Sequence, residues 1–334
     1  MEKKASLKDI AAKVGVSTAL VSYVLNGLEK EKRVSKEVVK KVHAVAKELN
    51  YKPNQIARSL RKGSTSTIGL IVADIANPFF GQLARIIEDE SIKNGYNVIF
   101  GSSDENCRKS QSLVETFLNR QVDGFIIVPA EGCKKQVKSL IQKDVPLVLI
   151  DRYLPEVESN FVVLDNYSAV YNSVEHLLKK GMKQIEMVAY KNSLTHMEER
   201  TNGYLQAMKD YSREQEISIT ELPFHFDRSK MNKVISNLYK VKKCEAVVFA
   251  TNTLSLAGLY AVKNLGIKIP EELAIVGFDG NEAFDFFDPP LTFIQQPLVQ
   301  LGHESVRILV EQMKGNKKLQ KLKLEAQLIL RGSC

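Results

Sequence analysis

Hydrophobic positions follow one spacing at the start of the chain and another beyond it. Leu7, Ile10, Ala11 and Val14 fall at i, i+3, i+4 and i+7, the stripe of an amphipathic helix that Gly15 then ends. Ser17 is placed to cap a second helix with Val21, Val24 and Leu25 facing inward and Thr18, Ala19, Ser22 and Tyr23 facing out. A third helix, opened by Ser35 and closed near Asn50, carries Val38, Val42, Val45 and Leu49 on one face. Leu7, Ile10, Val14, Val21, Val24, Val42, Val45 and Leu49 then make one small core. The pattern fits a generic three-helix bundle or a helix-turn-helix, in which the second helix enters the DNA major groove.

From Thr67 the pattern changes to short apolar runs, at 68–72, 98–100, 125–128, 147–150, 161–164, 185–189, 246–250 and 274–278. Helical patterns lie between them, among them 80–94, 169–180, 200–211 and 254–265. Strand and helix in strict turn predict parallel sheets wound by right-handed crossovers, and eight strands suggest two sheets and two lobes. Between the two regions, Pro53 and Asn54 open a helical pattern through Lys62 that Gly63 terminates. About two turns do not hold as a helix alone in water, so this segment is expected to fold only with a partner.

Charge sharpens the division. Residues 1–62 hold 15 Lys/Arg against 6 Asp/Glu, so this stretch carries +9 and residues 63–334 carry −1. A basic module on a near-neutral body suggests a phosphate-rich partner, because neutralised phosphates release counterions. Four scattered cysteines form no zinc-like or thioredoxin-like spacing and suit free thiols in a reducing compartment. The N-terminus carries Lys8, Asp9 and Lys13 where a signal peptide needs its apolar region, and no apolar run is long enough to span a membrane. A cytoplasmic protein is expected.

In open parallel sheets ligands bind beyond the carboxyl ends of the strands. Asp74 and Phe79-Phe80 follow the first predicted strand, Asp151-Arg152 the fourth, Thr251-Asn252 the seventh and Asp279 the eighth. Carboxylates, an amide and aromatic faces in one cleft suit a polyhydroxylated ligand. His196 and His225 are isolated and read as surface or loop residues. No metal or cofactor is expected. No Gly-rich phosphate loop, nucleophile elbow or metal-binding His pair appears, so no catalyst is proposed.

Leu7-Lys8-Asp9-Ile10-Ala11, Val14-Gly15-Val16-Ser17, Val21-Ser22-Tyr23-Val24-Leu25-Asn26-Gly27 and Glu48-Leu49-Asn50-Tyr51-Lys52-Pro53-Asn54 resemble the headpiece of the LacI/GalR family of transcriptional regulators. The resemblance implies a helix-turn-helix headpiece over 1–52, a hinge helix over 53–63 and a two-lobed, periplasmic-binding-protein-like body over 64–334. Its first lobe spans about 64–163 and 292–324, its second about 164–291 and 325–334. In the headpiece Ser6, Leu7, Ser17, Thr18, Ala19, Ser22, Tyr23, Asn26 and Ser35 are then DNA-contacting positions. In the hinge Asn54, Ala57, Arg58 and Arg61 join them, Ile56 packs on its twin, and Leu60 matches an apolar wedge inserted through the minor groove.

The body resembles the same family at Ile68-Gly69-Leu70-Ile71, Asn77-Pro78-Phe79-Phe80, Ile150-Asp151-Arg152, Arg200-Thr201-Asn202-Gly203-Tyr204 and Val276-Gly277-Phe278-Asp279. Arg200 and Asp279 match effector-clamping positions, Asp151 a further cleft carboxylate, and Phe79, Phe80, Thr251 and Asn252 cleft-lining positions. Leu194 and His196 stand where purine-binding relatives carry polar clamps, which favours a sugar or sugar derivative. Phe284, Phe286 and Phe287 fall on the family's dimer face. The expectation is a homodimeric repressor of a palindromic operator, controlled by a small effector. A sugar-binding protein with the same body and no regulatory role is the alternative, and the headpiece argues against it.

Overall fold

A computed structural model describes residues 5–51, 63–280 and 282–334. Two compact units divide the chain between Thr65 and Ser66. The expected hinge contacts at Asn54, Ile56, Ala57, Arg58, Leu60 and Arg61 lie outside the described residues.

The first unit contains helices α1 (Leu7–Val14), α2 (Thr18–Leu25) and α3 (Lys36–Glu48). Each begins at a serine: Ser6, Ser17 and Ser35 accept from the amides of Asp9, Leu20 and Val38. Ser6 and Asp9 form a reciprocal capping box, and Gly15 closes α1 in the left-handed conformation at φ 76°. Ile10, Ala11, Val21, Val24, Val42 and Ala46 are the buried centre. Leu7, Val14, Val45 and Leu49 pack around them half-buried, and Ala46, absent from the periodic reading, takes a central place.

The second unit holds two six-stranded sheets. The first comprises β1 (Thr67–Val72), β2 (Asn97–Ser102), β3 (Gly124–Ile127), β4 (Leu147–Ile150), β5 (Asn160–Leu164) and β11 (Lys321–Leu324), in the order β11-β5-β4-β3-β1-β2. Helices α4 (Pro78–Lys93), α5 (Cys107–Asn119), α6 (Lys134–Gln142) and α12 (Leu298–Met313) accompany it. The second comprises β6 (Ile185–Tyr190), β7 (Ser218–Leu222), β8 (Ala246–Phe249), β9 (Ala274–Phe278), β10 (Thr292–Gln295) and β12 (Gln327–Ile329), in the order β12-β10-β9-β8-β6-β7. With it are α7 (Asn166–Lys179), α8 (Thr195–Asp210), α9 (Arg228–Lys240), α10 (Asn252–Leu265) and the short α11 (Glu282–Asp285).

Pairing is parallel except where β12 returns antiparallel to β10, a departure from the purely parallel expectation. Since β10 belongs to the second sheet, the chain returns to the first lobe only after Gln295, not at residue 292. The chain passes between the sheets after β5, after β10 and after β11, and the Asp165 amide donates to the Leu324 carbonyl where two passages meet (2.8 Å). These passages are the chain connections between lobes that each have their own core.

One glycine shapes the site directly. A Cβ on Gly203 of α8 would stand 2.3 Å from the Tyr167 carbonyl oxygen and 3.0 Å from the Tyr171 nitrogen, both backbone atoms of α7. Glycine thus allows the two helices to touch, and one turn earlier on α8 Arg200 reaches Asn166 at the start of α7. Gly203→Ala must push the helices apart, at about 2–3 kcal/mol. Thermal unfolding should show a melting temperature lower by roughly 5–10 °C; a melt within about 2 °C of the parent contradicts this packing account.

Candidate functional site

On the first unit, Ser6, Ser17, Thr18, Ala19 and Ser35 are exposed, as a reading surface requires. Leu7, Ser22, Tyr23 and Asn26 are half-buried. Leu7 packs on the helical core, which explains that residue without DNA. The Asn26 amide donates to the Ser22 carbonyl (2.6 Å) and hydroxyl (3.2 Å), closing α2. Lys32 stands 5.8 Å from the Tyr23 ring centroid, so the Leu28–Arg33 loop reaches the second helix as well as solvent.

On the second unit, a cleft of about 360 Å³ opens between the lobes, within the range of small-molecule sites. Strand order dictates its place, because the carboxyl ends of both sheets converge there. From the first lobe come Asp74, Asn77, Phe80, Glu105, Glu131 and Arg152; from the second, Tyr190, His196, Phe224, Thr251 and Thr253. Polar contacts bridge the lobes along one rim. The Ser193 hydroxyl donates to Glu131 (2.5 Å), the Thr195 hydroxyl to the Tyr153 carbonyl (3.0 Å), and the Tyr153 hydroxyl to Glu199 (3.1 Å), which Lys323 also meets (2.6 Å).

The other expected effector residues lie beneath this lining. Arg200 is buried: its Nε donates to Asn166 Oδ1 (2.8 Å), its Nη1 to the Ala250 carbonyl (2.6 Å), and its guanidinium stacks 3.7 Å from the Phe278 ring centroid. Burial lowers its pKa to about 10, against the opposing fields of Asp279 and Asp151. Asp151 and Asp279 follow β4 and β9 in left-handed backbone, at φ 66° and 59°. Such conformations carry strain that Asp tolerates better than most residues and that gathers at functional sites. Their amides continue the sheets, bonding to the Val162 and Ile294 carbonyls.

Burial raises the Asp279 pKa to about 7, opposed by Arg200 and by Gln296, whose amide donates to Asp279 Oδ1 (2.8 Å). Asp151 is raised too, by burial first, while Arg152 and Arg200 pull it down. Asn252 is buried and donates to the Asp279 carbonyl (2.8 Å), so it orients the turn rather than lining the cleft. Thr251 lines the cleft and caps α10.

Three expectations need correction. Both Phe79 and Phe80 are buried in the first lobe's core, and of the two only Phe80 also lines the cleft. Consecutive helical residues point about 100° apart, and the two rings meet edge to face with centroids 4.9 Å apart. His196 is a buried residue of α8 at the cleft, where burial, Arg152 and Arg200 hold it neutral, its pKa well below the ordinary value. Phe284 is fully buried in the second lobe's core and Phe287 packs against that core, which leaves Phe286 as the exposed ring of the three.

Arg152, Glu105, Gln296, Tyr190 and Phe224 were missed as site residues. Arg152 had a signal, since it follows Asp151 directly at a strand end. Gln296 follows β10, which the periodicity did not reveal, and Glu105 becomes relevant only when β2 and β4 are placed in one sheet. Among the described residues no cluster of His, Cys, Asp and Glu is placed to hold a metal ion.

Comparison with known proteins follows this division. Residues 6–54 match the family of bacterial regulatory proteins of the lacI type, and residues 174–334 the periplasmic binding protein-like domain. The ribose operon repressor of Halalkalibacterium halodurans is 34% identical over 92% of this chain and 90% of its own. The HTH-type transcriptional repressor CytR of Escherichia coli K12 is 30% identical over 99% and 97%. A LacI family transcriptional regulator from Enterococcus faecium, solved with bound ribose, superposes with a TM-score of 0.71 at 27% identity, covering 80% of this chain and 98% of that one. The chain belongs to the LacI family and is a DNA-binding transcriptional regulator, its headpiece joined to a two-lobed periplasmic-binding-protein-like body.

Proposed function

We propose that this protein is a homodimeric repressor whose grip on a palindromic operator is set by a sugar held between the lobes of its body. The observation that carries the reading is the cleft itself. First-lobe carboxylates and aromatic faces from both lobes line it, with Arg200, Asp151 and Asp279 beneath that lining, in a chain that also carries a helix-turn-helix. Sugar hydroxyls donate to Asp151 and Asp279, while Phe80, Tyr190 and Phe224 cover the apolar face of the ring. The ribose operon repressor and the ribose-bound regulator described above support this ligand class. Thr18, Ala19, Ser22 and Tyr23 read base edges, and Ser6, Ser17, Asn26 and Ser35 position the headpiece on phosphates.

Dimerisation lets two headpieces span one helical turn of DNA or a multiple of it. Ile92 and Phe100 on the first lobe are 58% and 61% exposed, and Tyr260 and Phe286 on the second 50% and 87%, which supplies apolar surface for a twin. The sugar draws the lobes together and changes how the paired hinge segments approach each other, melting them from the DNA. The protein works without cofactor or metal, as a cytoplasmic binding protein and not an enzyme. The deciding test is a titration of ribose into the complex of protein and operator DNA, followed by fluorescence anisotropy. Release supports the reading; tightening keeps sugar control but overturns the melting step; no response to ribose or any related sugar refutes the sugar-controlled part.

Two further outcomes are expected. Leu60→Ala should weaken specific binding at least tenfold while leaving nonspecific binding near normal, because only a kinked site uses the wedge; competition gel shifts with equal losses would refute that role. The second concerns pH. Asp279 keeps its proton up to about pH 7 in the folded protein, against about 3.9 when unfolded, so its burial costs nothing at low pH and destabilises progressively between those values. A ligand hydroxyl donates best to the ionised carboxylate, so sugar binding expels a proton below pH 7. Sugar affinity should fall about fivefold from pH 7 to pH 6 and stay flat above pH 8. Calorimetry across that range checks this, and a pH-independent Kd with no proton release contradicts it.

A further inference from the structure

The charges of the cleft constrain its occupant beyond the word sugar. Four carboxylates line it, Asp74, Asp104, Glu105 and Glu131, with Arg152 and Lys191 as the lining Arg/Lys cations. Arg152 is committed. Both of its terminal nitrogens meet Glu105 at 2.6 Å, one in addition faces the Pro129 carbonyl at 3.5 Å, and its Nε lies 3.4 Å from Asp151. Its side chain is only 7% exposed and that of Glu105 15%, so this is an internal fork-to-fork pair and not a cation held ready for a ligand. Lys191 is exposed at the rim, where solvent screens it.

Helix N-termini are the other usual anion receptors, and the cleft has them. Asn77, Asn106 and Thr251 all line it as N-caps. Each turns its side-chain oxygen back on its own helix, to the amides of Phe79 (3.1 Å), Lys109 (3.1 Å) and Leu254 (3.3 Å). Beneath the lining, Arg200 is held by Asn166, Ala250 and Phe278, with Asp151 and Asp279 bearing on its charge. A phosphate monoester brings about −1.5 to −2 charges at neutral pH. In this cleft it meets carboxylates, engaged guanidinium groups and helix ends at which the cap side chain already takes one amide.

We infer that the cleft is a filter for uncharged sugars, in which Glu105 closes Arg152 to anions, so that the effector is a free sugar and its phosphate ester is rejected. The inference rests on the cleft being the effector site proposed above. A regulator of this kind responds to the substrate of a sugar-phosphorylating step and not to its product.

Calorimetry on the full-length protein with matched pairs tests it: D-ribose with ribose 5-phosphate, D-glucose with glucose 6-phosphate, and D-fructose with each of its monophosphates. One free sugar should bind, and its ester should bind at least about 100-fold more weakly, the discrimination expected when a charged group is left without a partner. Glu105→Gln, which frees Arg152, should shrink that gap to about tenfold or less by strengthening the ester. The comparison in the unaltered protein stands even if that variant fails to fold. An ester binding as tightly as its parent sugar overturns the filter and leaves the sugar-binding reading intact. Failure of both members of every pair to bind overturns the sugar reading and the filter with it.

Discussion

A chain lacking residues 1–63 loses specific operator binding by a factor of at least about 10³ while its sugar affinity stays within about twofold. The loss is large because the deleted stretch holds the proposed base-reading side chains and nearly all the excess positive charge, +9 in residues 1–62 against −1 for the remainder. The retention follows from architecture. The body has its own cores, and each cleft residue named above lies on or between its two sheets. Sugar calorimetry and operator gel shifts on the truncated chain check both halves. Operator affinity surviving the truncation would place DNA recognition elsewhere.

Arg200→Met has the second large effect, on coupling and not on DNA affinity. Arg200 touches both the start of α7, through Asn166, and the end of β8, through the Ala250 carbonyl, and its charge restrains Asp151 and Asp279. Removing it pushes the Asp279 pKa higher still and takes from Asp151 one of its two cationic neighbours, Arg152 being the other, so both carboxyls are protonated more readily. A protonated carboxyl is a poorer acceptor for sugar hydroxyls, so ligand affinity collapses. The ligand-driven change in operator affinity, roughly 5- to 150-fold for a coupling of about 1–3 kcal/mol, disappears with it. Operator affinity without ligand should stay within about twofold, since no headpiece group is altered. Anisotropy titrations check this, and a variant that releases DNA normally on sugar addition excludes Arg200 from the clamp.

The sequence made some of this plain and hid the rest for identifiable reasons. Runs such as residues 147–150 are buried on both faces and read as unbroken apolar segments. Three of the strands that periodicity missed, β7, β11 and β12, are sheet edges, where solvated faces admit Lys321, Lys323, Glu221 and Gln327. The fourth, β10, was masked by its brevity and by Pro289-Pro290 just before it. β2 is also an edge, yet it was found because it keeps the apolar run of Val98, Ile99 and Phe100. The helices begin earlier than their apolar stripes, since Asn77, Asp165 and Thr251 cap them two to four residues upstream of the first apolar core residue.

At the site, residues at the ends of recognised strands were legible: Asp151, Asp279 and Thr251. Partners that depend on distant pairing were not. Glu105 and Arg152 are 47 positions apart, and Gln296 and Asp279 meet across two neighbouring strands. Phe79 was misjudged because adjacent aromatic residues look alike in a sequence, while helical geometry turns only Phe80 of these two core rings to the cleft.

The measurement that bears most directly on the central claim is selection of bound duplexes from a randomised DNA library by the full-length protein at near-physiological salt. The account predicts a palindrome with half-sites about one helical turn apart and a flexible pyrimidine–purine step at its centre, where Leu60 enters. Recovery of sequences with no common element, held only by salt-sensitive attraction, would contradict it.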